Sequence, residues 1–422
     1  MKILFKNANI LVDSKFSKLS MAAEDGVMTQ LDKKIDSSGF DMVLDLSGKY
    51  IVPGFADVHV HLRQPGFNYK ETMRSGTLSA AAGGFTAVCA MPNLDPVPDS
   101  VQNILVERDI ISRDAVVDVL PYASLTLGRE GKTPVDAGAL WPYAVAFSDD
   151  GDGVMDDNVM LNAMKNVKAA GGIVVAHCED KTLSKKGVAH DGAFAKKNGL
   201  KGIPSQSEWR QLERDLALVR LVGCKYHACH ISCAKSVELI RAAKADGLDV
   251  SCETAPHYLY FCDDDIENAG RFKMNPPIRS KEDRAALIAG VKDGTIDMLA
   301  TDHAPHTDKE KAGGFENALF GVSGLETAFS AAYTALVKPG IITLSRLCEL
   351  MGSAPRKRFG LFDNSFMLTR ILDFTVLDIQ KSYTVKPYEF MSEGKSTPFE
   401  GLTLTGYPIL TMSKGRIIWL RK

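Results

Sequence analysis

The chain has 422 residues, 45% of them hydrophobic, with 50 basic and 52 acidic side chains and a formal net charge of −2. This near-neutral balance excludes a global field that would draw nucleic acid or an anionic membrane surface. The length exceeds one small domain and suits a barrel of about 250 residues or more with something smaller attached. The eight cysteines fall mostly in apolar runs, where thiols behave as small hydrophobes, and a disulfide framework is not expected in so long a chain. No stretch reads as a signal peptide or a membrane span, so the expected location is a reducing cytoplasm.

In chain order, residues 3–12, 26–31 and 41–46 read as short strands, with turn signals at Asp25-Gly26 and Ser47-Gly48. From residue 51 the pattern becomes strands alternating with helices. Eight apolar strand segments are expected at 54–59, 86–91, 116–122, 143–147, 173–177, 226–230, 248–253 and 297–301. Helices are expected near 72–82, 100–112, 155–170, 206–222, 233–246 and 281–292, with two more near 323–337 and 343–351. Ser205 with Glu208 reads as a capping box, and Ser232 as a further N-cap. Short strands return at 373–377, 401–404 and 416–420. Eight strands with intervening helices predict a (β/α)8 barrel over 51–359; a doubly wound open sheet loses ground because no Gly-x-Gly-x-x-Gly follows the first strand. The two all-β ends, 1–50 and 360–422, are expected to pair as one small β-sandwich domain.

Barrel sites are built at the C-terminal ends of strands. There the chain places His59 and His61, Asp149 and Asp150, His177, His230, and Asp302 with His303 and His306. His59 and His61 lie two residues apart, so one strand face presents both. Four imidazoles and two carboxylates exceed one tetrahedral ion and suit two divalent cations about 3.5–4 Å apart, sharing a carboxylate and an acidified water. The imidazole-rich set favours zinc. Asp302 is the natural proton acceptor for attack on an amide, ester or phosphate. Cys229 and Cys233 lack the second pair that a structural zinc site needs.

These residues identify the chain as similar to the amidohydrolase superfamily. More narrowly, His61-Leu62-Arg63, Met91-Pro92-Asn93, Lys273-Met274-Asn275-Pro276-Pro277 and Ala300-Thr301-Asp302-His303-Ala304-Pro305-His306 resemble the long bacterial class of dihydroorotases. The resemblance implies a metal-dependent barrel with a small β domain. It implies reversible ring closure of N-carbamoyl-L-aspartate to dihydroorotate plus water in de novo pyrimidine biosynthesis, by a metal-bound hydroxide with Asp302 as general base and acid. His59, His61 and Asp302 would hold one zinc ion and His177 and His230 the other. Asp150 would bridge them, with Asp149 as the alternative; related cyclic amidases bridge with a carboxylated lysine, which this segment lacks.

Substrate would be held by His61, Arg63, Asn93, Asn275, His306 and the backbone at Phe320 and Gly321, with Arg63 gripping a carboxylate bidentately. Residues 303–321 are long for a barrel loop and read as a lid. A homodimer, and association with aspartate transcarbamoylase, are also implied. The chain departs from the family at Gln64, where an acid follows the arginine, at Leu319, where a proline precedes Phe-Gly, and across 364–373. Two rival readings are a hydantoinase or allantoinase, disfavoured by Arg63 with Asn93, and a non-catalytic scaffold for aspartate transcarbamoylase, disfavoured by the complete ligand set.

Overall fold

The computed structural model describes residues 1–421; Lys422, the last residue of the expected terminal β segment, lies outside the described residues. The barrel begins with two parallel runs. Phe55–Val60, Phe85–Ala90 and Asp118–Pro121 form one, and Ile173–Ala176, Lys225–Ala228, Val250–Thr254 and Met298–Leu299 form the other. Bridges from Phe147 to Ala123 and Val174 join the runs, and a bridge from Val60 to His303 closes the cylinder. The expected fourth strand, 143–147, is thus reduced to pairing at Phe147. Val145 N–H still donates to Pro121 O at 2.9 Å, and Phe147 N–H to Ile173 O at 3.0 Å.

Helices Met73–Ala82, Val101–Asp114, Asp157–Ala170, Gln206–Val222, Ala234–Ala245 and Lys281–Asp293 lie where the hydrophobic periodicity puts them. Two expected caps are not made. Ser205 contributes no side-chain cap, and the helix after Ser232 has Cys233 at its N-cap. Glu208 instead turns inward, accepting from the Ser232 backbone N–H at 2.9 Å and the Ser236 hydroxyl at 2.6 Å, while the Ser232 hydroxyl bonds Glu208 and takes the Arg279 Nε–H at 3.0 Å. A buried carboxylate facing a buried guanidinium outbids a local cap, because leaving either charge unpaired costs far more than a cap returns.

The alternation of strand side chains builds the lumen. Ala87, Cys89 and Met91, Ile173 and Val175, and Met298 and Ala300 pack together with Phe359 and Leu361 in one apolar layer. Two further steps along the same faces reach His177 and Asp302. On these two strands the apolar floor and the polar mouth are therefore one stripe.

The chain ends share a second core. Among the described residues they form an eight-stranded sheet in the order Arg416–Leu420, Thr403–Ser413, Phe374–Thr384, Tyr50–Pro53, Lys2–Val12, Lys15–Glu24 and Val27–Asp32, with Met42–Asp45 alongside Lys2–Val12. Tyr50–Pro53 is the seam where the two ends meet, antiparallel to Phe374–Thr384 and parallel to Lys2–Val12. Phe5 meets Phe374 edge-on at 5.1 Å. The divergent 364–373 segment does anchoring work: Asn364 Nδ2 donates to Gly54 O at 3.0 Å and to Asp373 Oδ1 at 2.9 Å. Arg356 adds bonds to Thr86 and Gly54 at the barrel base. No helix among the described residues is long and apolar enough to cross a membrane, and none of the eight cysteines is paired.

Glu107, on the helix Val101–Asp114, is buried with neither carboxyl oxygen bonded among the described residues, and burial pushes its pKa well up. A raised folded pKa means that the native state must take up a proton above the unfolded carboxylate range of about 4.3. Glu107→Met is therefore expected to stabilise the chain by about 1–2 kcal/mol at pH 8 and by little at pH 4.5, read as shifts in urea midpoint at the two pH values.

Candidate active site

The mouth of the barrel holds a cavity of about 240 Å³ lined by His61, Arg63, Asn93, Asp150, Gly151, His177, His230, Asn275, Asp302, Ala304, His306, Phe320 and Gly321. Residues separated by as many as 260 positions meet here, and His59 lies directly behind the wall, fully buried. Asp149 and His303, which also stand at these strand ends, do not line the cavity.

Two of the four imidazoles, His59 and His177, are aimed by a carboxylate on the far side. His59 Nδ1 donates to Glu253 Oε1 at 2.8 Å, which leaves the Nε2 lone pair facing inward. That Nε2 lies 3.4 Å from Asp150 Oδ1 and 3.6 Å from Asp302 Oδ1. His61 Nε2 lies 3.2 Å from Asp302 Oδ1 and 3.6 Å from Asp150 Oδ2. On the other side, His177 Nε2 faces Glu179 Oε2 at 3.5 Å, and His177 Nδ1 is 3.0 Å from His230 Nε2. Both of those inner nitrogens sit 3.8 Å from Asp150 Oδ1. Asp150 thus stands between two pairs of imidazoles. Asp149 points elsewhere, accepting from the backbone N–H groups of Leu125 and Thr126 at 2.8 and 3.0 Å.

The donor set fits divalent cations. His59 Nε2 and Asp150 Oδ1 are buried acceptors with no hydrogen-bond partner among the described residues, although they face each other. A buried imidazole nitrogen and a buried carboxylate oxygen turned on one another need positive charge between them, either a shared proton or a metal cation. Ligand atoms of a tetrahedral zinc site are about 3.3 Å apart, which is the spacing seen here. Two overlapping groups, His59 with His61 and Asp302, and His59 with Asp150 and His230, each bring ligand atoms within 4.8 Å of one another. Burial pushes Asp150 up, but His59, His230 and His61 hold it well below the usual carboxylate range. Burial likewise opposes ionisation of Asp302, yet His61, His59 and His230 bring it to about 2.

Backbone conformation completes the aim. Asp302, His230 and Arg63 have φ of 47°, 28° and 63°, in the region that ordinary residues avoid. On strict alternation His230 would leave the face of His227 and Cys229; its left-handed φ turns it back into the mouth. Gly321, at φ 124°, packs so closely that an added Cβ would meet Ala304 O at 2.7 Å.

The anion-binding end is built around Arg63. Its Nε donates to Pro305 O at 3.2 Å, and burial lowers the guanidinium only to about 10, so it remains charged. His306 Nε2 donates to Phe320 O at 2.8 Å. Gln64 does not hold Arg63 at all: its Oε1 accepts the Met73 N–H at the start of helix Met73–Ala82. Leu319 donates its N–H to Glu310 O at 2.8 Å, a bond a proline could not make. Asn93 spends an N–H on Asp150 O at 2.7 Å and leaves its Oδ1 unbonded among the described residues, so it offers an acceptor as well as the donor expected.

Sequence reasoning missed Glu253 and Glu179, which orient His59 and His177. Glu253 was legible as an acid at the end of the seventh strand, on the face of Ser251; Glu179 as the residue two beyond His177. Glu253→Ala is expected to weaken cation affinity about 10–100-fold, read by competition with a chelator.

A family model for dihydro-orotase-like proteins matches residues 48–236. The chain is 46% identical to a dihydroorotase of Bacillus cereus (strain B4264) over 425 residues, covering all of this chain and 99% of that protein. It is 45% identical, over the same shares, to a dihydroorotase of Bacillus cytotoxicus. Among solved structures, an L-hydantoinase (dihydropyrimidinase) from Arthrobacter aurescens superposes with a TM-score of 0.90 at 27% identity, covering 99% of this chain and 96% of that one. A D-hydantoinase at 23% identity, with a TM-score of 0.87 over all of this chain and 96% of that one, shares the fold.

Proposed function

This chain belongs to the dihydroorotase family, and from that premise we propose that it interconverts N-carbamoyl-L-aspartate and dihydroorotate, with release of water on closure, in pyrimidine biosynthesis. The observation that carries the reading is a charged arginine sharing one small cavity with the imidazole and carboxylate cluster. The substrate has a carboxylate beside a cyclic imide, and Arg63 is the group that recognises it. His59, His61 and Asp302 would hold one divalent cation and His177 and His230 a second, with Asp150 between them. Zinc suits the ligand set; when bound, two such ions supply Lewis acidity and lower the pKa of a shared water.

The remaining steps belong to the chain's own side chains. Arg63 holds the substrate carboxylate at one end, and Asn93 Oδ1 accepts a ring N–H. Asn275, held by Glu179 at 3.0 Å, and the backbone at Phe320 and Gly321 bracket the ring. Asp302, ionised at rest, accepts the proton lost by the attacking water and returns it to the departing ring nitrogen. The segment 303–321 contributes Ala304, His306, Phe320 and Gly321 to the cavity wall.

The structural likeness to the Arthrobacter hydantoinase favours a second reading, a cyclic amidase for rings without a carboxylate. Ring opening of dihydroorotate, hydantoin and dihydrouracil by the zinc-loaded protein separates the two. Turnover of dihydroorotate with little on the others supports the proposal; turnover of hydantoin without dihydroorotate overturns it.

A further inference from the structure

Lys311 ends the short helix Asp308–Lys311, yet its side chain is buried. Its Nζ donates to three backbone carbonyls: Lys273 at 3.0 Å, Leu319 at 2.6 Å and Gly321 at 2.7 Å. An ammonium has three N–H donors, and all three are spent this way. The charge that bears on it is another cation, Lys273, and burial with that repulsion lowers the ammonium to about 7. Among the described residues Lys311 has no ion-pair partner, and a buried cation so placed costs folding free energy. What it returns is geometric.

The three carbonyls belong to two segments of the cavity wall. Lys273 lies two residues before Asn275, and Leu319 and Gly321 flank Phe320. The Gly321 N–H donates to Lys273 O at 3.1 Å, so that carbonyl already joins the segments and Lys311 braces the junction. Lys273 Nζ sits 4.7 Å from the centre of the Phe320 ring, on its face, and donates to Phe315 O. The helix carrying Lys311 is itself fixed by a capping box between Thr307 and Glu310, directly after His306.

We propose that Lys311 is a positioning residue for substrate, stapling the 273–275 segment to the 319–321 segment and so setting the gap between Asn275 and the Phe320–Gly321 backbone. The role rests on the dihydroorotase reading for its kinetic consequence but not for its structural one. Lys311→Met keeps the length of the side chain and removes every donor. In the zinc-loaded full chain it is expected to raise the KM for dihydroorotate about tenfold, with kcat within about threefold and metal content unchanged. Hydrogen exchange without substrate is expected to speed up at residues 308–321 while strand Ile173–Ala176 is unaffected. If Lys311→Met does not fold, Lys311→Gln, which retains two donors, is expected to give the same pattern at about a third of the amplitude, a rise in KM of about threefold with faster exchange at 308–321.

Unchanged KM and unchanged exchange overturn the proposal. A parallel fall in kcat and in metal content also overturns it, because that pattern marks general loosening of the barrel mouth. Absence of dihydroorotate turnover in the unaltered protein sinks the functional reading instead, and the exchange measurement still decides the staple.

Discussion

Asp302→Asn is expected to lower kcat for dihydroorotate ring opening by about 10³-fold or more. The substitution keeps size and shape, so the left-handed turn at residue 302 and its neighbours persist. What it removes is the capacity to take up a proton. The native carboxylate is surrounded by His61, His59 and His230, which against the cost of burial keep it ionised at a pKa of about 2. An amide at the same place accepts hydrogen bonds but cannot carry a proton from the attacking water to the ring nitrogen. The variant is to be compared with the unaltered protein at equal metal content, so that lost ligation is not mistaken for lost proton transfer. Activity within tenfold of the unaltered protein would remove Asp302 from the proton path.

Arg63→Ala is expected to raise KM for both dihydroorotate and N-carbamoyl-L-aspartate by about 100-fold, with kcat changed less than about fivefold. A charge-assisted, desolvated bidentate contact to a carboxylate contributes roughly 2–3 kcal/mol. The substrate carboxylate does not change during reaction, so its contact stabilises ground state and transition state alike, and the loss falls on KM. Hydantoin, which lacks the carboxylate, is expected to be indifferent to the change. An unaltered KM for dihydroorotate would place the substrate carboxylate elsewhere.

Much of this site is legible in the linear chain because it follows from period. A strand turns alternate residues to one face, so His59 and His61, or Val175 and His177, declare a shared face before any coordinates exist. The barrel rule then says which end of the strand matters. Turn and helix signals likewise placed six helices within a few residues of Met73–Ala82, Val101–Asp114 and their successors. The expected capping box at Ser205 failed for an instructive reason: Glu208 is locally well placed for a cap, but Arg279, 71 residues on, offers a buried charge.

Period and local propensity, acting between neighbours in the chain, were enough to determine the alternation of strands and helices, the faces carrying the imidazoles, and the two β ends left over. Tertiary packing alone decided that Asp150 rather than Asp149 stands among the histidines, that His230 twists back into the mouth, that Glu253 and Glu179 aim the rings, and that Lys311 braces the wall. Those choices are made by burial. Once water is excluded, each polar group must find its partner wherever the fold has brought one, and distance along the sequence no longer counts.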